Sequence, residues 1–296
     1  MTKIITIRKK LRRYIMDKQS NIYFVATPIG NMMDITLRAL DVLSKSDIIY
    51  CEDTRNSSNL LKFHNIDKKL ISYHKFNESE RVKEILDNLK NGKVVSVISD
   101  AGMPIINDPG FVILKEVVKN GFSFEIIPGA CALINAICGS LFDAGSFCYM
   151  GFVPRTDVER KKYFEKFQKM NVTGIFYESP NRLLKTLKFL KDYFGNINVC
   201  VCRELTKLFE EYKRGKITDV ISYYEEKKVK GEIVLVLDKI EEKSEEIDLN
   251  KEILELKKQG YSNKKIVIYL KEKFNISKNK AYELVLNYNE KEKEDV

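Results

Sequence analysis

The stretch Ile22-Tyr-Phe-Val-Ala-Thr-Pro-Ile-Gly-Asn31 decides the fold. Its first half, Ile22 to Ala26, is a short apolar run. Its second half, Thr27 to Asn31, has the composition of a tight loop. A buried strand that runs directly into a proline- and glycine-bearing loop is the opening of an α/β sheet. The pattern continues outward. Asp34 or Thr36 caps a helix whose Leu37, Leu40 and Leu43 fall at helical spacing. Ile48 to Cys51 is a second strand. Residues 78–90 read as a helix stopped by Asn91-Gly92, and Lys93 to Ser99 is a third strand. This alternation, kept up through Gly121, predicts a mostly parallel sheet covered by helices.

A second α/β pattern follows. The strand Phe124 to Ile127 leads into Pro128-Gly129-Ala130 and an apolar helix over 130–140. Further strands are expected at 146–152, 173–178, 197–203 and 231–238, with helices near 157–169 and 180–192. Residues 241–255 are rich in charge, carry no packed stretch and read as a linker entering a helix. Beyond them, Ser262 and Ser277 each cap a short helix, and the pair resembles a helix-turn-helix unit. The division expected is a basic extension over 1–21, an α/β domain over 22–127, a second over 128–240, and a linker with a helical basic tail over 241–296. A chain of 296 residues accommodates two such domains.

Charge narrows the partners. The chain has 51 basic and 42 acidic residues, a net charge of +9. Residues 1–20 alone carry +6, and the remaining 276 carry +3. A uniformly basic nucleic-acid coat is excluded; local basic patches are not. One such patch is 256–281, where eight lysines stand against Glu272. RNA contact is the reading preferred there over a merely solvated face, because the charge clusters while the tail as a whole is neutral. The basic start lacks an apolar core ending in small residues, so it is no secretory signal. It reads as a basic arm, a weak organelle-targeting segment, or a leader before a true start at Met16. The longest apolar run, Ala130 to Phe142, is broken by Asn135 and too short to span a bilayer. Six cysteines show no disulfide or zinc spacing, and with only His64 and His74 a metal site is not expected. His74 reads as a polar strand-end residue rather than a base. Core packing in a reducing cytoplasm suits the thiols.

Three loops stand directly after apolar strands: Thr27 to Asn31, Ser99 to Pro104, and Pro128 to Cys131. In open α/β sheets ligands bind where loops leave the carboxyl ends of strands. Small residues there let backbone groups approach a ligand closely. The three loops together predict a cleft for a nucleotide-like molecule. No G-x-G-x-x-G follows the first strand, no P-loop signature occurs, and no G-x-S-x-G or histidine-centred triad appears.

The motifs themselves carry further. Tyr23 to Asn31, Asp34-Ile-Thr-Leu-Arg-Ala-Leu40, Cys51-Glu-Asp-Thr-Arg55, Ile71-Ser-Tyr-His74, Ser99-Asp-Ala-Gly102, Asp108-Pro-Gly110, Pro128-Gly-Ala130, Phe176-Tyr-Glu-Ser-Pro180 and Arg203-Glu-Leu-Thr-Lys207 resemble the tetrapyrrole methylase superfamily in its ribosomal RNA branch. The resemblance spans about residues 22–238 and extends into the tail. It implies two α/β domains with S-adenosylmethionine held in the cleft between them. The implied activity is methylation of a cytidine ribose 2′-oxygen in 16S rRNA of the small ribosomal subunit, by a cytoplasmic homodimer.

Carried over by position, the resemblance puts Ile29, Gly30, Asp100, Ala101, Gly102, Met103, Ile106, Cys131, Ala132 and Tyr177 at the cofactor. Glu52, Asp53 and Glu178 end strands and are candidate general bases, since a ribose hydroxyl is a weak acid. Arg55, Arg182, Arg203 and Lys207 are candidate phosphate ligands beside the tail lysines Lys264, Lys265, Lys278 and Lys280. Glu178 and Arg182, spaced i, i+4, are equally a plain salt bridge. The chain departs from the family pattern at Met103, Asn107, Cys131 and Asn181. Cys131 removes a hydroxyl donor from the third loop, and Asn181 makes a base at that position untenable. Two other readings remain: a methylase of a small tetrapyrrole, against which the lysine-rich tail counts, and a non-catalytic RNA-binding assembly protein, against which the intact loops count.

Overall fold

In the computed structural model, residues 20–240, 249–274 and 276–294 are described. Most of the expected basic extension and residues 241–248 of the linker lie outside the described residues. Two compact units result, one ending at Ile240 and one beginning at Glu241.

The first unit opens with a parallel sheet of β1 (Ile22–Val25), β2 (Ile48–Cys51), β3 (Lys69–Ser72), β4 (Val95–Ile98) and β5 (Phe124–Ile127), in the order β3-β2-β4-β1-β5. Its helices are α1 (Leu37–Lys45), α2 (Thr54–Phe63), α3 (Glu78–Lys90) and α4 (Phe111–Lys119). Two apolar clusters, one built around Phe24, Tyr50 and Val97 and one around Val25, Leu43 and Ile49, cover its two faces. Burial on both faces explains why β1, β2 and β4 read as continuous apolar runs. The cap of α1 is Thr36, whose hydroxyl accepts from Ala39 N at 3.0 Å. Asn31 instead caps the short turn Met32–Asp34.

The second sheet contains β6 (Phe147–Phe152), β7 (Thr173–Glu178), β8 (Asn198–Arg203), β9 (Glu211–Lys216) and β10 (Ile233–Leu237), in the order β6-β7-β10-β8-β9. Only β6 and β7 are parallel; the other pairs are antiparallel. Helices α5 (Ala132–Ser140), α6 (Asp157–Gln168), α7 (Leu183–Phe194) and α8 (Ile217–Glu225) accompany it. Phe164, Phe176, Leu187 and Leu235 anchor one face, and Ile175, Ala136 and Val236 the other. Cys200 and Cys202 share that second face, their sulfurs 3.6 Å apart.

β3 entered the sequence reading only through His74 as a strand-end residue, β9 not at all, and both are edge strands. An edge strand is half solvated, and Glu211-Tyr-Lys-Arg-Gly-Lys216 accordingly shows charge rather than an apolar run.

The second unit is a three-helix bundle of α9 (Leu249–Lys258), α10 (Asn263–Phe274) and α11 (Lys278–Glu294). Ile253, Leu256, Ile266, Val267, Leu270, Ala281 and Val285 form its core. The expectation that 241–255 carries no packed stretch is therefore corrected: Ile253 is fully buried. Leu249, Ile253 and Leu256 fall at helical spacing, but Asp248, Lys251, Glu252, Glu255 and Lys257 around them masked the pattern. Among the described residues no helix is long and apolar enough to cross a membrane.

Candidate active site

β4, β1 and β5 are neighbours, and their last residues Ile98, Val25 and Ile127 pair in register. The three loops therefore leave the sheet side by side. Thr27 and Gly102 exchange backbone hydrogen bonds of 2.9 and 3.1 Å, which ties the first loop to the second. The Thr27 hydroxyl donates to Ser99 O at 3.1 Å, and that of Ser99 to Gly102 O at 3.0 Å. Gly102 has φ +82°, a conformation that favours glycine, and a Cβ there would meet Ile29 Cγ2 at 3.2 Å.

Above these loops opens a cavity of about 390 Å³. Ile29, Ala101, Gly102, Met103, Ile106, Cys131, Ala132 and Tyr177 all line it, so eight positions picked from sequence converge on one space. Gly30 and Asp100 do not line it. Gly30 instead packs under the loop after β8, where a Cβ would fall 2.4 Å from Lys207 Cγ. Asp100 accepts from Asp53 N at 2.9 Å and Asn56 Nδ2 at 3.0 Å, which braces the loop after β2.

The second sheet supplies the opposite wall through Phe152, Tyr177 to Pro180, Leu205 and Gly231 to Val234. Tyr177 packs edge-on between Tyr149 and Phe152, at centroid distances of 5.0 and 5.4 Å. Burial, with Cys131 nearby, pushes its hydroxyl up to about 12. Asn107 donates to the Tyr149 hydroxyl and so links the loop after β4 to β6.

Among the carboxylates, Asp108, which sequence alone places only within the motif Asp108-Pro-Gly110, lines the cavity. Burial raises its carboxyl to about 6, and the nearby Glu52 charge adds to the rise; Lys75 and the Ser99 hydroxyl oppose it. Glu52 stands close enough to act on Asp108 but outside the cavity wall. Asp53 is the N-cap of α2 and accepts from Arg55 N at 2.8 Å and Arg55 Nη2 at 2.6 Å. Those Arg55 hydrogen bonds hold its carboxyl down at about 2. Glu178 reaches the cavity lining, but its side chain is fully buried and committed. It accepts from Ser179 N at 2.7 Å, Thr186 Oγ1 at 2.6 Å and Arg182 Nη2 at 3.2 Å. A carboxylate with three donors is a framework group.

The candidate phosphate ligands divide in the same way. Arg182 also donates to the carbonyls of Val153 and Pro154. Arg203 is bound to Glu211 at 3.3 Å, and Lys207 lies between Glu204 at 2.9 Å and Glu232 at 3.0 Å. Arg55 pairs with Asp53 but keeps a largely exposed side chain. In the tail Lys264, Lys265, Lys278 and Lys280 are exposed, Lys280 lying 3.3 Å from Glu283. No group of side chains among the described residues could hold a metal ion.

The sequence reading missed Asn107, Asp108, Phe152, Leu205 and the 231–234 segment. For Asp108 a signal existed, a carboxylate four residues beyond the proline that ends the second loop. For Phe152 and Gly231 only tertiary pairing brings the residues to the cavity.

Residues 21–221 match the family described as tetrapyrrole (corrin/porphyrin) methylases. The chain is 39% identical over 270 residues to a ribosomal RNA small subunit methyltransferase I of Rickettsia prowazekii, an alignment covering 90% of this chain and 96% of that protein. It is 44% identical over 213 residues to the protein of that name in Thermotoga maritima, covering 72% and 96%. Among solved structures it is similar to a diphthine synthase, with TM-score 0.60 and 14% identity over 73% of this chain and 89% of that one. It is also similar to the uroporphyrin-III-C-methyltransferase of Thermus thermophilus, with TM-score 0.52 and 17% identity over 75% and 93%. At those identities the solved structures speak for the fold alone. With a family match over most of its length, and with relatives of about 40% identity, the chain belongs to the tetrapyrrole methylase family.

Proposed function

We propose that this chain is an S-adenosylmethionine-dependent methyltransferase of small-subunit ribosomal RNA, acting on the 2′-hydroxyl of a cytidine ribose. The similarity to two proteins named ribosomal RNA small subunit methyltransferase I, over nearly their whole length, carries the reading. Two α/β halves, a cytoplasmic homodimer and 16S rRNA as partner belong to the same proposal.

The cavity residues fit the cofactor. A volume of about 390 Å³ lies in the range of roughly 300–1,000 Å³ usual for small-molecule sites. Ile29, Met103, Ile106, Ala132, Leu205 and Val234 offer an apolar wall to a flat base. Gly102 leaves open the space between loops that a Cβ would begin to fill. When bound, S-adenosylmethionine supplies an electrophilic sulfonium methyl. The loops position the reactants and exclude water, which is where much of the acceleration in a direct displacement arises.

Asp108 is the proton acceptor this reading favours. It faces the cavity, and a carboxyl near 6 is mostly ionised at neutral pH while remaining a better base than an exposed carboxylate. Glu52 supports it through charge, and Asp53 and Glu178 hold the framework. The tail lysines and Arg55 are left to meet phosphate.

The test offers purified protein methyl-labelled S-adenosylmethionine with small subunits lacking the modification, with naked rRNA, and with a tetrapyrrole precursor. Label on one cytidine ribose of the small subunit is expected. Label on the tetrapyrrole alone, or none despite cofactor binding, overturns the reading.

A further inference from the structure

A second cavity, of about 450 Å³, adjoins the first and shares Gly231 with it. Arg203, Lys227, Lys228, Lys230 and Phe209 are among its walls, with Glu204 and Glu211. The two carboxylates are already engaged. Glu211 accepts from Tyr223 at 2.5 Å, Tyr224 at 2.8 Å and Arg203 at 3.3 Å. Glu204 accepts from Lys207 Nζ at 2.9 Å and Glu232 N at 3.0 Å. Lys227 sits 3.6 Å from the Tyr223 ring centroid. Lys228 and Lys230 stand exposed with no ion pair among the described residues. Two cationic heads are thus uncompensated at the mouth of a cavity next to the candidate active site.

The loop after β8 supplies the second element. Glu204 and Thr206 are non-glycine residues held at φ 52° and 64°. Such backbone persists only where its surroundings over-determine it. Here they do: Lys207 bridges Glu204 and Glu232, Thr206 N donates to Glu210 at 2.6 Å, and Asn31 N donates to the Thr206 hydroxyl at 3.1 Å. This braced loop nevertheless presents Leu208 and Phe209 to solvent, 90% and 69% exposed. Single exposed apolar residues are ordinary. An aromatic held in water by a strained, ion-paired loop, beside unpaired lysines, is the arrangement that binds single-stranded RNA: a cationic track with a stacking platform.

We propose that this second cavity is a subsite for the single-stranded RNA flanking the methylated nucleotide. Lys228 and Lys230 each take a backbone phosphate, and Phe209 stacks on a base. The site rests on the rRNA reading above and extends it by naming the path along which the strand leaves the cleft. Duplex RNA does not fit, because its bases are stacked and its edges hidden.

The test compares wild type with Lys228→Ala/Lys230→Ala, its Lys228→Arg/Lys230→Arg counterpart and Phe209→Ala. Methylation of small subunits, filter binding of those subunits against salt, calorimetric binding of S-adenosylmethionine, and sedimentation are measured. The alanine pair is expected to raise KM for the subunit and to flatten the log–log salt dependence by about 1.4, at about 0.7 per contact to a single strand. The arginine pair restores both. Phe209→Ala raises KM on the order of tenfold with the salt slope intact. Cofactor affinity and oligomeric state stay at wild-type values. If wild type labels the subunit while KM and slope are unchanged in the variants, this inference fails alone. A sedimentation change in Phe209→Ala without loss of RNA affinity makes the loop a protein contact and also overturns it. A wild type that neither binds nor labels the subunit removes the rRNA reading and this site together.

Discussion

Asp108 and Glu178 line the same cavity from opposite sheets, and they differ in what surrounds them. Asp108 lies in the loop after β4, where burial and the charge of Glu52 raise its carboxyl toward 6. Glu178 ends β7, where Arg182, Thr186 and the backbone of Ser179 satisfy it completely. Position at a strand end, the feature visible in sequence, picks out Glu178 and not Asp108, which lies ten residues past the end of β4. Partners make the difference, and only tertiary structure reveals partners. A carboxylate with spare proton affinity facing a cavity is suited to chemistry; one with three donors holds the wall in place.

The largest effect that could break this contrast concerns rate. Asp108→Asn is expected to slow methyl transfer by about 10²- to 10⁴-fold, the usual worth of a general base. Calorimetry should find cofactor affinity within a few-fold of wild type. A variant with full activity would put Asp108 on the same footing as Glu178.

Glu178→Gln should act on stability instead. It leaves the Arg182 guanidinium, three-quarters buried, without its carboxylate. Breaking such a pair costs about 3 kcal/mol, to be read from denaturant midpoints at constant slope. If Glu178→Gln abolished turnover in a fully stable protein, the roles assigned to the two carboxylates would be reversed.

Gly30→Ala sharpens the comparison from outside the cavity wall. The added Cβ would stand 2.4 Å from Lys207 Cγ, 2.8 Å from Thr206 Oγ1 and 3.0 Å from Leu205 O. Overpacking of this kind costs roughly 1–3 kcal/mol. Because Leu205 lines the cavity, cofactor affinity should fall as well.

A smaller effect follows from linkage. The folded carboxyl of Asp108 titrates above an ordinary aspartate, so between pH 4 and 6 the folded state binds more proton than the unfolded. Its contribution to stability therefore falls as pH rises through that window and stays unfavourable above it. Asp108→Asn should melt a few degrees higher than wild type at pH 8 and show no such gain at pH 4. Identical melting shifts at both pH values would mean that the carboxyl is not raised by the fold.

Much of this architecture was legible in the chain. β1, β2 and β4 are buried on both faces, so their apolar runs announced a parallel sheet, and the loops that follow β4, β1 and β5 announced the cavity floor. Eight of the ten positions proposed for the cofactor share one cavity. What remained hidden depended on long-range pairing. β9 is a charged edge strand, α9 buries only Ile253 and Leu256, with Leu249 packed against them, and Phe152 meets Tyr177 through strand neighbours. Gly30 was expected at the cofactor, but what stands close to it is the loop after β8.

The most direct test of the account is a single-turnover pH–rate profile of labelled methyl transfer to the small subunit, with wild type and Asp108→Asn side by side. The wild-type rate is expected to rise with pH through about 6 and then level off, as Asp108 becomes ionised. Asp108→Asn should be slower throughout and lack that rise. Superimposable profiles would contradict the account and leave the cleft without its proposed proton acceptor.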